Sequence, residues 1–240
     1  MDPAGPPLTF FGHLEELRRR IFISLAAVLG GTLAGTFFSD RALRVFLRPI
    51  RDEIGRAYFF SPAEALVVKL KVAMLLGLLL AAPVLFWQFW QFISPALFHQ
   101  EKKIFLALVG VTSALFLFGA YFCFYGVLPT ALKFLVGMRS DYLAPMISIT
   151  EYVSFLSGMA LAFGVAFNLP VVILGLVKVG ALNSKMLSHY QRHAIVLIFI
   201  VAAVLTPGPD IASQLMLAVP LFILFEGSVF LAGLIEGRKS

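Results

Sequence analysis

The sequence predicts an all-α integral membrane protein, a single polytopic domain over residues 1–240 with six transmembrane helices. Two observations predict it. The chain is 60% hydrophobic and 13% charged, with a mean hydropathy of +0.94, whereas ordinary soluble domains are about 45–50% apolar and about 25% charged. Its apolar residues also fall in continuous runs between charges, most of them near the ~20 residues that cross a hydrocarbon core of about 30 Å. Membrane-barrel strands would alternate polar and apolar residues instead.

The spans are expected at about Ile21–Phe38, Leu66–Trp90, Ile104–Leu128, Tyr152–Val177, Ala194–Leu205 and Leu215–Ile235. An even number places both termini on one side. With the N-terminus inside, ten lysines and arginines flank the spans on the inner side and seven on the outer, which favours an N-in/C-in orientation. The outer charges cluster in Ser39–Ser61, where Ala42, Leu43, Val45, Phe46 and Leu47 alternate with arginines as in a folded amphipathic cap. Met1 to Gly12 contains no apolar run ending in a small-residue cleavage site, so no cleavable signal peptide is expected.

Charge and cysteine usage narrow the function. Basic residues beside spans account for the net charge of +6, so no nucleic-acid partner is expected. Cys123 is the only cysteine, and zinc-ligand spacing is absent. The chain has no H-E-x-x-H, G-x-S-x-G or Walker loop, so neither catalysis, nor a metal, nor a cofactor is predicted. Histidines 13, 99, 189 and 193 all flank spans, where solvated histidines are ordinary.

Polar groups in or beside spans are costly and therefore informative. Four groups stand out. The first, His13-Leu14-Glu15-Glu16-Leu17-Arg18-Arg19-Arg20, precedes span one; headgroup anchoring explains Arg19 and Arg20 but not the glutamates. The second runs from Trp87 to Leu97 and on to Glu101-Lys102-Lys103. Interfacial belting would cover Trp87 and Trp90, and Pro95 suggests a short ordered loop. Glu101 has lysines beside it with which it could simply pair. The third group surrounds Asn168 and Pro170 in span four, where the helix should bend and the amide should bond a neighbouring helix. The fourth is the tight turn Leu205-Thr206-Pro207-Gly208-Pro209-Asp210, with Gln214 beyond it; Thr206 and Asp210 suit cap chemistry for the sixth helix. Glu226, inside span six, faces protein or a water-filled groove, or else snorkels to the inner interface.

In this order the groups resemble the TatC family, the polytopic receptor of twin-arginine protein translocation. The matching stretches are His13-Leu14-Glu15-Glu16-Leu17-Arg18; Ser61-Pro62-Ala63-Glu64 with Lys71; Gln88-x-Trp90-x-Phe92-x-x-Pro95-x-Leu97 with Glu101; Phe163-Gly164-x-x-Phe167-x-x-Pro170; and Leu205-Thr206-Pro207-x-Pro209-Asp210-x-x-Ser213-Gln214. They cover nearly the whole chain. The resemblance implies a cupped, glove-like, non-enzymatic receptor in the cytoplasmic (inner) membrane of a prokaryote. It would work in an oligomeric complex with TatA/TatB-type single-span partners and export folded proteins using the proton-motive force.

By motif position Glu16, Arg18, Phe92 and Glu101 would line a cytoplasmic site for signal peptides carrying consecutive arginines. Two carboxylates from separate segments can each take one guanidinium bidentately, a geometry that lysine cannot reproduce. Phe92 would add an apolar or cation–π surface. Asn168 departs from the glutamate that many family members carry, which leaves a polar role there but removes a titratable one. The two C-terminal spans are expected to be short, the twelve-residue fifth only about 18 Å long as a helix, which predicts that partner helices dock there, at Thr206, Pro207, Asp210 and Gln214. The alternative is a secondary transporter of a small solute, but spans one to three and four to six show no convincing internal repeat.

Overall fold

The structure, a computed structural model, describes residues 10–53, 55, 57–97, 102–137, 146–178, 182–205 and 211–237. These form α1 (Phe10–Phe46), α2 (Arg48–Glu53), α3 (Glu64–Leu97), α4 (Lys102–Phe122), α5 (Leu128–Gly137), α6 (Ile149–Ala166), α7 (Leu169–Lys178), α8 (Ser184–His189), α9 (Gln191–Leu205) and α10 (Ile211–Gly237), with a π-helical turn at Cys123–Val127 joining α4 to α5. Among the described residues, five helical stretches are long and apolar enough to cross a membrane: Phe11–Glu53, Glu64–Phe92, Phe105–Phe134, Ile149–Val177 and Gln214–Leu234. The chain is a multi-pass, all-helical membrane protein.

The helices overrun the apolar runs. With 37 residues, α1 is about 55 Å long, so it projects well past a core of about 30 Å and carries Arg41 and Arg44 of the expected cap on its last turns. α2 folds beneath them with Ile50 buried. The cap is tied down when Tyr152 donates its hydroxyl to the Phe46 carbonyl at 2.7 Å, and when Tyr58 donates its N–H to the Ile147 carbonyl and accepts from the Ile149 N–H, each at 3.1 Å. The loop expected around Pro95 is instead the last turn of α3, which continues to Leu97. α9 starts three residues before its apolar run, at Gln191. Its 15 residues make about 22 Å, which is still short; the sixth span, also expected to be short, is not, since α10 has 27 residues and its Gln214–Leu234 stretch is long enough to cross.

Two close crossings hold the bundle together. α1 and α3 run antiparallel with glycines facing each other; a Cβ on Gly31 would lie 2.6 Å from the Gly77 carbonyl oxygen, and one on Gly77 would lie 2.5 Å from the Thr32 nitrogen. Small residues allow such approach in lipid, where association rests on packing rather than on hydrophobic exclusion. α4 meets α6 in the same way, Gly119 against the Phe163 carbonyl and Gly164 against the Phe116 ring. Trp90 belongs to this interior rather than to an interfacial belt. It is buried and donates its indole N–H to the Thr112 hydroxyl at 3.2 Å.

The predicted bend in span four is a break between α6 and α7 at Phe167 and Asn168. Pro170 sits in the first turn of α7, where its missing N–H leaves no bond unmade. Among the described residues the amide of Asn168 does not reach another helix. It is buried and donates from Nδ2 to the Gly164 carbonyl at 2.9 Å, replacing the backbone N–H that has turned to Val165. Asn168 thus repairs the helix it interrupts.

Candidate functional site

The first turns of α1 lie against the last turns of α3, and this pairing builds the site. Helical spacing sets His13, Glu16 and Arg20 on one face, since residues three and four apart are neighbours. The Glu16 carboxylate takes Nε of Arg20 at 3.1 Å and also its Nη2, both on the same oxygen. Arg20 Nη1 reaches the Gln88 amide oxygen of α3 at 3.5 Å. The other Glu16 oxygen lies 3.8 Å from Nδ1 of His13, whose ring stacks on Phe92 with centroids 4.6 Å apart.

This pair is not a solvated surface contact. The side chains of Arg20 and Glu16 are 13% and 23% exposed, so water competes weakly for them and the pair is stronger than a rim ion pair. Arg18 behaves differently. Its side chain is 71% exposed and lies 3.6 Å from Glu15, itself 76% exposed.

Of the residues expected here, the structure brings Glu16 and Phe92 together through His13. It turns Arg18 to a different face of α1, and among the described residues no ion pair joins Arg18 to Glu16. Glu101 lies outside the described residues. Arg20 is the residue that sequence reasoning missed. Read as a headgroup anchor, it is instead the partner of Glu16, and the i,i+4 spacing of acid and arginine was the available signal.

Beside the pair a groove of about 700 Å³ opens along α1, α3, α4 and α6. Arg20 and Gln88 lie on its lining; Leu25, Val28, Leu85 and Phe89 are typical of the rest. The lining is almost wholly apolar and its charged side chain is Arg20, with the Glu16 carboxylate lying beyond that guanidinium.

The remaining predicted polar residues lie elsewhere. Glu226 of α10 accepts a bond from the Gln191 amide at the start of α9. Gln214 donates to the Phe199 carbonyl of α9 at 2.9 Å. These two bonds clasp α9 to α10 on either side of a small apolar cleft of about 260 Å³ lined by Ile195, Ile198, Phe199 and Phe222. Thr206, Pro207 and Asp210 lie outside the described residues. Among the described residues no three metal-ligating side chains cluster.

Comparison with known proteins agrees with this layout. The chain is 39% identical over 233 residues to the Sec-independent protein translocase protein TatC of Carboxydothermus hydrogenoformans, covering 97% of this chain and 96% of that one. It is 36% identical to its counterpart in Aquifex aeolicus, with 97% of each covered. Its fold superposes on a crystal structure of the twin-arginine translocase receptor TatC with a TM-score of 0.84 at 36% identity, covering 92% of this chain and 98% of that one. Residues 12–220 match the family model of the Sec-independent protein translocase protein, and the chain belongs to the TatC family.

Proposed function

We propose that this chain is the receptor subunit of a twin-arginine translocation system in the cytoplasmic membrane of a prokaryote. It recognises the consecutive arginines of a signal peptide on the cytoplasmic face and, with TatA/TatB-type single-span partners in an oligomeric complex, exports folded proteins using the proton-motive force. It acts as a binding and assembly scaffold rather than as an enzyme and needs no cofactor. The supporting observation is the Glu16 carboxylate, already engaged by a guanidinium at the end of an apolar groove. A signal peptide offers the matching order, a charged start followed by an apolar run.

In this reading Glu16 takes one signal arginine and Glu101, by its place in the motif, takes the other. Phe92 supports the site from the α3 side. Arg18, exposed beside Glu15, lies at the rim, where it meets carbonyl or acidic groups of the peptide. The chain crosses the membrane six times, N-in and C-in, as a cupped, glove-like scaffold, with α9 as the short fifth crossing. The polar clasp of Glu226 and Gln214, together with Thr206, Pro207 and Asp210 by their place in the sequence motif, forms the face on which partner helices dock where α9 leaves the bilayer thin. Asn168 keeps a structural place and carries no proton.

In a bacterium lacking its own twin-arginine receptor, the chain supplied with its single-span partners restores export of a folded twin-arginine reporter. A photo-crosslinker placed at Phe199 or Gln214 captures a partner in the same cells. Partners captured only on α3 and α4 would contradict the docking face. Solute uptake by liposomes holding this chain alone, with no rescue of export, would favour the small-solute transporter.

A further inference from the structure

If Glu16 accepts a signal arginine, that seat is not empty in the resting protein. The Arg20 guanidinium fills one oxygen of the carboxylate through two nitrogens and is held from its far side by Gln88. We propose that Arg20 is a resident competitor that sets the affinity threshold of the site, an internal arginine that a signal arginine must displace from Glu16. The inference rests on the reading of Glu16 given above, and it assigns to Arg20 a role beyond anchoring the helix.

The consequence follows from competition. A resident competitor lowers the affinity of every incoming cation for the carboxylate by the same factor. The ratio between arginine and lysine is still set by the carboxylate, which an arginine fork fits and an ammonium does not. What the resident removes is occupancy by weak cations. An arginine exchanges one guanidinium for another and retains comparable hydrogen bonds; a lysine forfeits the fork and falls below useful occupancy. Discrimination, a difference of affinities, is unchanged; the concentration needed to occupy the site rises, so that at a given peptide level only the tighter ligand remains bound.

Position supports a displaceable seat. Arg20 and Glu16 are one turn apart on the same helix, so exchange needs only side-chain rotation and no movement of α1 against α3. On release, the guanidinium still has the Gln88 oxygen within reach and lies on the lining of the groove. The second Glu16 oxygen faces His13 rather than an arginine, which leaves an approach for the incoming group before Arg20 has left. The neighbouring Arg18–Glu15 contact, exposed on both sides, lacks these features.

The test is binding of a fluorescent synthetic twin-arginine signal peptide, and of its lysine–lysine version, to the full chain in lipid nanodiscs at fixed salt. Arg20→Gln is expected to tighten both peptides by a common factor of roughly three to ten, with the ratio between them unchanged. Arg19→Gln removes the same charge from an exposed neighbour and should leave both nearly unchanged. Weaker or unaltered binding in Arg20→Gln overturns the proposal and makes Arg20 a support for Glu16 instead. If Arg20→Gln does not accumulate, Gln88→Leu, which loosens only the far hold, decides by the sign of a smaller shift: tighter supports the proposal, weaker or unchanged overturns it. Glu16→Gln tests the underlying reading separately. Should it leave the twin-arginine peptide bound as tightly as before, Glu16 is not the acceptor, and that failure is distinct from a failure of Arg20 to compete.

Discussion

Glu16→Ala inserts at the wild-type level and exports no folded reporter carrying a twin-arginine signal. The size of the effect follows from the bond removed. A hydrogen bond to a charged group contributes about 1.5–3 kcal/mol, and losing it lowers peptide occupancy roughly ten- to hundredfold. The substitution also strips Arg20 of its carboxylate, leaving a mostly buried cation with only the Gln88 amide. A modest loss of thermal stability therefore accompanies the loss of export, and insertion must be measured beside it. Glu101→Ala behaves the same way for the second arginine. Normal export by the double variant, measured as periplasmic reporter, would remove both residues from the site.

The second large effect is structural and needs no signal peptide. Gly31→Leu drives a branched side chain into the backbone of α3, where even a Cβ would stand 2.6 Å from the Gly77 oxygen. Backbone atoms in the middle of a helix cannot yield, so α1 and α3 must separate. Overpacking of this kind costs about 1–3 kcal/mol, occasionally more. Because Arg20 meets Gln88 and His13 meets Phe92 across the same pair of helices, separation also dismantles the site. Gly30→Leu, one residue away with nothing within 4 Å of its Cβ, is the matched control. The expected result is a clear fall in thermal midpoint and peptide binding for Gly31→Leu and little change for Gly30→Leu. Equal behaviour of the two would mean that the glycine contact does not hold the helices together.

Five of the six apolar runs in the sequence coincide with helical stretches long and apolar enough to cross a membrane, because lipid imposes one dominant constraint, that every backbone group be satisfied within a helix. Helix ends were harder to read. Hydropathy marks where lipid begins, not where helical bonding stops, so α1 runs into the cap, α3 passes Pro95 and α9 begins at the polar residue Gln191. The misread side chains were those whose partners lie far along the chain or whose local geometry is unusual. Trp90 finds Thr112 on the next helix. Asn168 bonds its own helix because the break at Phe167 diverts its backbone N–H. The glycine pairs cannot be matched from sequence, because nothing in Gly31 names Gly77. Arg20 was within reach of sequence reasoning, since its glutamate lies four residues before it. Three consecutive arginines beside a span obscured that pairing by inviting one explanation for all of them.

The central claim is that the Glu16 carboxylate reads an arginine of the signal peptide. A double-mutant cycle tests it most directly: binding of a twin-arginine peptide and of its lysine–lysine version is measured for the wild-type chain and for Glu16→Gln. In the wild type the change to lysine weakens binding strongly; in Glu16→Gln the same change costs far less, because the group that distinguished the two is gone. Full additivity, with lysine as damaging in Glu16→Gln as in the wild type, would contradict the account.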